Sequence, residues 1–240
     1  MRLAIVSDIH GNLTALEAVL KDLVRCAPDL ILHGGDLAAG GARPREVVDR
    51  VRALGWPGVL GNTDEMLYRP ETLAAAADRS PQLAGLFSAI AEMADFTREA
   101  LDNQRLTWLA SLPMVESVAG VDLVHATPGD VWQSPGPGAD DAELESAYRM
   151  LGPLDVYAHV HHPFVRRIGR RVVANTGALS LSYDGDARAS YLLIEDGVPA
   201  VRRVDYDLEA EARALRESAL PHAEWVAHSM QKAAFVLPAG

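Results

Sequence analysis

Seven residues of this 240-residue chain have the types and spacings of a metal-binding hydrolytic centre: Asp8, His10, Asp36, Asn62, His125, His159 and His161. Imidazole suits Zn, Fe and related ions, whereas carboxylate suits Mn and other harder ions. A mixed set of His, Asp and Asn therefore fits transition dications and not a Ca²⁺ site. Two carboxylates set against two dications leave a cluster of roughly +2, a charge that attracts phosphate. Two-metal hydrolytic centres, with ions about 3.5–4 Å apart, also use such charge to lower the pKa of a bound water.

Each candidate lies just beyond the carboxyl end of a predicted strand, the edge at which open α/β sheets bind ligands. The apolar run Arg2 to Ser7 ends in Asp8-Ile9-His10-Gly11-Asn12, Asp29 to His33 ends in Gly34-Gly35-Asp36, and Pro57 to Leu60 ends in Gly61-Asn62-Thr63-Asp64. Val121 to Val124 leads into His125, and Leu154 to Ala158 into His159-Val160-His161. Asp8 and His10 are two apart, as are His159 and His161, and in extended backbone that spacing points both side chains the same way. Glycines at 11, 34, 35 and 61 let the chain turn sharply beside a bulky ion.

Between these strands, Leu13, Leu16, Val19, Leu20 and Leu23 recur at helical spacing, and Val47, Val48, Val51 and Leu54 do so within Pro44 to Leu54. Strands alternating with helices imply parallel βαβ units. From Asp64 to Leu112 an Ala-, Leu- and Glu-rich stretch predicts two or three helices, broken near Pro70 and Ser80-Pro81. Further on, three hairpins are expected: Met114 to Val118 with Val121 to Val124, Val165 to Ile168 with Arg171 to Ala174, and Tyr191 to Glu195 with Val198 to Val204. Asp140 to Leu151 should be a helix, and Leu208 to Ala234 two helices broken at Pro221. The expected fold is α/β, two packed mixed β-sheets flanked by helices. One domain over 1–240 would carry a helical insert at 63–112 and a C-terminal helical extension at 206–240.

At 49% hydrophobic residues, a chain of this length buries most of its surface in a single domain. The net charge of −11 and pI near 5.1 oppose binding to a polyanion, so no duplex nucleic-acid partner is expected. A small phosphorylated substrate, its charge met locally by bound metal, fits that balance. The N-terminal run turns polar too soon for a signal peptide and no stretch is long enough to span a bilayer, so no membrane partner and a cytoplasmic location are expected. Cys26, the single cysteine, lies late in an apolar-periodic helix and reads as a buried thiol in a reducing compartment. The oligomeric state stays open, a homo-oligomer included.

Taken in order, Asp8-x-His10, Gly35-Asp36, Gly61-Asn62-x-Asp64, His125 and His159-x-His161 resemble the calcineurin-like metallophosphoesterase family, particularly its small single-domain bacterial and archaeal members. The resemblance runs from residue 1 to about 204 and includes Asn175-Thr176-Gly177-Ala178 and Tyr183-Asp184-Gly185-Asp186. It implies that one metal takes Asp8, His10, Asp36 and His161, and the other Asp36, Asn62, His125 and His159. Asp36 then bridges, a hydroxide between the ions is the nucleophile, and Asp36, Asn62 and His125 form the catalytic core. The implied function is hydrolysis of a phosphate ester with two divalent ions, Mn first and Fe, Zn, Ni or Co as alternatives. Phosphodiesters are favoured, with phosphomonoesters and nucleoside polyphosphates next.

The family pattern is broken at one position that bears on mechanism. Many relatives carry a His directly after the Asn, a proposed general acid, where this chain has Thr63. A Thr hydroxyl does not donate with a pKa near neutrality, so turnover should favour leaving groups that depart unprotonated, such as an aryl oxide or a phosphoanhydride. The usual Gly-His-x-His is Ala158-His159-Val160-His161 here, which spares the ligands. The rival from another class is a non-catalytic metal- or nucleotide-binding regulator, for which Thr63 is the hint and the intact ligand set the objection.

Thr63 and Arg98, the latter in the inserted helices, are candidate substrate contacts. His162, a neighbour in extended chain, should face away from the ligand pair. His33, His222 and His228 read as structural or exposed, and Asp64 as a hydrogen-bonding residue of its loop. Arg166, Arg167, Arg170 and Arg171 surround a solvated hairpin tip. Trp56, Trp108, Trp132 and Trp225 are too widely spread for a stacking platform and read as packing residues.

Overall fold

Side chains that alternate with a period of two decide the architecture. In the computed structural model, which describes residues 1–238, the strands are β1 (Arg2–Val6), β2 (Leu30–His33), β3 (Val115–Val118), β4 (Val121–Val124), β5 (Leu154–Tyr157), β6 (Phe164–Ile168), β7 (Arg171–Asn175), β8 (Ala189–Glu195) and β9 (Val198–Val204). They form one sheet in the order β2-β1-β8-β9 and another in the order β3-β4-β5-β7-β6. Leu3, Ile5, Leu192 and Ile194 of the first sheet meet Leu123, Val156 and Ala174 of the second in a buried cluster. The alternate residues face the other way and need helices to cover them. Ala4, Val6, Tyr191 and Leu193 pack with Leu16, Val19, Val48 and Val51. Val124, Tyr157 and Val173 pack with Leu144 and Tyr148.

Both sheets are mixed. β1 runs parallel to β2 and antiparallel to β8, while β5 runs parallel to both β4 and β7. All three expected hairpins are present. The third expected strand is not a strand: Pro57 to Leu60 contributes one parallel bridge, between His33 and Gly58. His33 N donates to Pro57 O and Val59 N to His33 O, both at 3.0 Å. Pro57 has no N–H to continue such a ladder, and Leu60 N turns away to Pro113 O at 2.9 Å. The segment still delivers Asn62 to the same edge as β1 and β2.

The helices are α1 (Leu13–Cys26), α2 (Pro44–Leu54), α3 (Asn62–Tyr68), α4 (Pro70–Arg79), α5 (Ala84–Ala100), α6 (Asn103–Ala110), α7 (Asp141–Tyr148), α8 (Leu208–Glu217) and α9 (Ala223–Lys232). Asn12 caps α1 by accepting from Ala15 N at 2.9 Å, which fixes the helix to the end of the His10 loop. The inserted stretch holds four α-helices and a short 3-10 turn at Pro81–Leu83, not two or three helices. It breaks at Pro70 and Ser80-Pro81, and again where Asp102 caps α6 by accepting from Arg105 N at 3.0 Å. α8 and α9 close over Met93 of α5, so the C-terminal extension packs on the insert. Ala239 and Gly240 of that extension lie outside the described residues. Among the described residues no helix is long and apolar enough to cross a membrane.

Candidate metal centre

The loops that follow β1 and β2 lie side by side. Asp8 N donates to Gly35 O at 3.0 Å, His10 N to Asp36 O at 2.9 Å and Gly11 N to Leu37 O at 2.9 Å. Gly61 closes against this pair: a Cβ there would sit 2.9 Å from Asp36 Cγ and nearer still to its Oδ1 and backbone N. Asp8, His10, Asp36, His159 and His161 all have left-handed backbones, with φ of 51°, 47°, 55°, 68° and 55°. The two-residue spacing does pair Asp8 with His10 and His159 with His161, but through tight turns and not through the extended chain expected from sequence.

These turns gather the seven side chains into one buried cluster. Two groups within it have donor atoms close enough to share an ion: Asp8, His10 and His161, and Asp8, Asp36 and His125. His161 Nε2 lies 3.3 Å from Asp8 Oδ1 and 3.3 Å from His10 Nε2. The Asp36 carboxylate faces both halves, Oδ2 at 3.7 Å from His10 Nε2 and Oδ1 at 3.5 Å from His125 Nε2. Asn62 Oδ1 lies between the other two imidazoles, 2.9 Å from His125 Nε2 and 3.0 Å from His159 Nδ1.

Tautomers follow from the partners of the opposite ring nitrogens. His10 Nδ1 faces Ala39 O at 2.8 Å, His125 Nδ1 faces Gly34 O at 2.7 Å and His161 Nδ1 faces Leu181 O at 2.6 Å. A carbonyl only accepts, so each neutral ring holds its proton on Nδ1 and turns a bare Nε2 inward. Bare lone pairs on His10 and His161 then confront each other. Asp8 Oδ1 is buried beside them without a hydrogen-bond partner. So many converging acceptors are costly without a cation and are what divalent-ion binding requires, with carbonyls orienting the imidazoles from behind. The residues present therefore fit a metal pair.

The electrostatics of the pocket agree with its burial. Desolvation pushes His10 down, and it pushes His159 down to about 4 with help from the nearby His125. Burial also lowers His161, but Asp8 more than offsets this and leaves the ring raised. Asp64, buried beside Asp36, is pushed up to about 7 by desolvation and by that neighbouring charge. It accepts from Leu37 N at 3.0 Å and thereby braces the turn after Asp36, so it bonds from α3 to a neighbouring loop and not within its own.

Thr63 adjoins the cluster: its N donates to Asp36 Oδ1 at 2.9 Å, while its Oγ1 has no partner. Arg98 is not brought there. Its Nε donates to Leu67 O at 2.8 Å and its Nη1 pairs with Asp95 at 2.5 Å, so it braces the insert instead of facing the cluster. His33 is fully buried with neither ring nitrogen partnered, His162 turns to Val160 O, and His228 is exposed. Cys26 is half-buried, with Tyr191 OH 3.4 Å from its Sγ. Of the hairpin arginines, Arg166 donates to Ala139 O at 2.6 Å and Arg171 pairs with buried Asp155, so these two are tied down.

Several residues of the site carried no signal of their own in the sequence. Ser7 Oγ donates to Asp8 Oδ2 at 2.6 Å and meets Thr176 Oγ1 at 2.6 Å. Tyr183 stacks on His161, ring centroids 4.7 Å apart and planes 9° from parallel. Thr176 and Tyr183 belong to segments that resembled the family, but their contacts arise from long-range packing. Trp225, expected as packing, lines the cavity at the mouth of the site.

Residues 1–196 match the calcineurin-like phosphoesterase superfamily domain. This chain belongs to that superfamily. An uncharacterized protein of Methanocaldococcus jannaschii is 28% identical over 93% of this chain and 95% of its own length. The crystal structure of a metallophosphoesterase from Sphaerobacter thermophilus matches with a TM-score of 0.78 and 28% identity, over 97% of this chain and 100% of that one. A hypothetical protein of Pyrococcus horikoshii shares the fold with a TM-score of 0.81 at 17% identity, over 95% of this chain and 97% of that one. Superfamily membership supports hydrolase activity in general, and the family's use of divalent metals accords with the residue clusters described above.

Proposed function

We propose that this calcineurin-like phosphoesterase hydrolyses a phosphodiester at a centre of two divalent cations held by Asp8, His10, Asp36, Asn62, His125, His159 and His161. The observation that carries it is the set of inward-turned imidazole nitrogens and carboxylate oxygens that converge on one another within one pocket. Asp36, whose two oxygens face opposite halves of the cluster, is the bridging residue of this proposal. Bound there, two dications supply positive charge for a phosphate and lower the pKa of a water; Mn²⁺ heads the candidates, followed by Fe, Zn, Ni and Co.

The chain's own residues do the rest. Carbonyls of Gly34, Ala39 and Leu181 fix the imidazole tautomers, and Asp64 and Thr63 N hold the Asp36 turn from either side. No Lys or Arg lines the adjoining cavity among the described residues. A phosphodiester, with one negative charge, asks less of such a site than a phosphomonoester dianion. Thr63 leaves its position without a titrating acid, which favours leaving groups that depart unprotonated. The net charge of −11 supports a small phosphorylated substrate over duplex nucleic acid.

The test is steady-state hydrolysis of bis-p-nitrophenyl phosphate and p-nitrophenyl phosphate by chelator-stripped protein resupplied with each metal. Mn²⁺-dependent turnover with the diester preferred is expected. Absence of turnover with every ion, on protein shown to bind them, would favour a non-catalytic metal-binding role instead.

A further inference from the structure

We infer that the cavity beside the metal centre takes the alcohol portion of the substrate, a compact, uncharged, largely apolar group of about one aromatic ring. The inference rests on the phosphoester reading and deepens it. The cavity measures about 170 Å³ and has Asp36, Asn62, His159 and His161 on its inner side. An apolar cavity of about 150 Å³ holds one benzene, so with the phosphate also seated against the ligand residues a single ring is the upper size for this space and a purine nucleoside exceeds it.

Most of its apolar outer wall comes from the insert and the C-terminal extension, with Leu181 and Tyr183 added from the segment between β7 and β8. Leu86, Ile90 and Met93 of α5 face Trp225 and Val226 of α9, with Phe235 beyond them. Trp225 Nε1 donates to Val236 O at 2.7 Å, which holds the indole in place as a wall. His222 Nε2 and Glu92 Oε2, 3.2 Å apart, tie the two segments together at the surface. Asp36 is the one charged carboxylate or basic group other than histidine among the described residues lining the space. A second anionic group drawn in would lose hydration and find no guanidinium or ammonium to meet it, so polyphosphate tails and carboxylates are disfavoured.

Two hydroxyls of the lining are buried without a partner. Ser229, a wall residue only 3% exposed, has an Oγ without a partner, and so does Thr63. A serine within a helix either points its hydroxyl to solvent or bonds it to the carbonyl one turn back. The Ser229 hydroxyl is left free for a ligand, and we assign it one hydrogen-bonding atom on an otherwise apolar group.

The experiment is isothermal titration calorimetry of Mn²⁺-loaded full-length protein with inorganic phosphate, methylphosphonate, phenylphosphonate and 4-carboxyphenylphosphonate. None needs turnover. Burial of the ring should make phenylphosphonate bind at least about tenfold tighter than methylphosphonate. The 4-carboxy compound should bind at least about tenfold more weakly than phenylphosphonate, because its second charge goes unpaired. Ile90→Lys, at a half-buried wall position, should reverse the order of the last two. Phenyl and methyl compounds binding within threefold, or an unaltered order in a natively folded Ile90→Lys protein, would overturn the cavity assignment while leaving the phosphoester reading intact. Should Ile90→Lys not fold, the wild-type series decides alone. Failure of all four ligands, phosphate included, to bind metal-loaded protein would bring down the phosphoester reading and this inference with it.

Discussion

Gly61→Ala tests the geometry of the site without removing any candidate ligand. The new methyl would fall 2.9 Å from Asp36 Cγ and closer to Asp36 Oδ1 and N, inside any ordinary contact. The backbone has little room to yield. Asp36 O accepts from His10 N at 2.9 Å, Leu37 N is held by Asp64, and a Cβ-sized probe at Gly35 would already lie 2.7 Å from Gly61 Cα. The Asp36 side chain must therefore swing and its backbone shift with it, by about 1 Å if they are to clear the methyl. A misplacement of about 1 Å typically costs on the order of 10² in rate. Overpacking should cost about 1–3 kcal/mol, or roughly 2–12 °C in melting temperature for a chain of this size. Gly55→Ala is the control: its φ of 64° carries backbone strain, but nothing lies within 4 Å of the added Cβ. Both variants should lose stability, and only Gly61→Ala should also lose Mn²⁺ affinity by calorimetry and kcat/KM on bis-p-nitrophenyl phosphate. Mn²⁺ affinity and turnover within threefold of wild type in Gly61→Ala would refute the reasoning, because Asp36 would then have tolerated displacement.

Other outcomes follow from the same geometry. Asp36→Ala should lower kcat/KM at least about a thousandfold, since one oriented electrostatic group alone is worth 10²–10³ and this one faces both halves of the cluster. Chelator-stripped protein should melt below Mn²⁺-loaded protein, because ions that bind only the folded state stabilise it; equal melting temperatures across Mn²⁺, Fe²⁺ and Zn²⁺ would contradict a preformed site. Burial pushes His33 down to about 4 while the unfolded chain titrates near 6.5, so the unfolded state takes the proton first and stability falls as pH drops from 6.5 to 4. Urea denaturation should show wild type losing about 2 kcal/mol more than His33→Leu between pH 7.5 and 5. With Thr63 unable to act as acid, log kcat should fall steeply with leaving-group pKa, and Thr63→His should flatten that slope for alkyl esters; a shallow wild-type slope unchanged by the substitution would show that another acid acts.

What could be read from the sequence was what local pattern controls. Short apolar runs alternating with periodic helices marked β1 and β2 as parallel strands, and Asp or Gly at turns marked three hairpins, which together implied two mixed sheets. The seven candidates were legible because each follows a strand, and that holds even for Asn62, whose strand shrank to one bridge. The reason for that shrinkage is also local, Pro57 lacking an N–H, but its effect depends on Leu60 N finding Pro113 O across the fold. The backbone at Asp8 and His161 was misread because left-handed turns at non-glycine residues are set by contacts such as Asp8 N with Gly35 O, which no pattern of residue types announces. Arg98 looked free to reach a phosphate because Leu67 O, which anchors it, lies 31 residues away. Trp225 and Ser229 were invisible as cavity residues for the same reason, since their place depends on how α9 docks onto α5.

The strained turns explain how one set of loops holds its donors while the surroundings set what is bound. Five of the seven candidates adopt φ between 47° and 68°, a conformation that costs an L-residue about 1–2 kcal/mol, less for Asp. Summed, that rivals the whole net stability of an ordinary domain, so the rest of the fold must over-determine these positions. It does so with backbone bonds that do not involve the ligand side chains: Leu179 N and Ser180 N donate to Ser7 O and Asp8 O at 3.0 Å, and Ala158 N donates to His125 O at 2.9 Å. Because these bonds anchor the loops to both sheets, the donors stand in place before any cation arrives. α5 and α9 contribute to none of them. Their side chains are therefore free to shape the cavity, so in the proposed reading the insert and the extension, together with Leu181 and Tyr183, bear on substrate choice while the strand ends carry the chemistry.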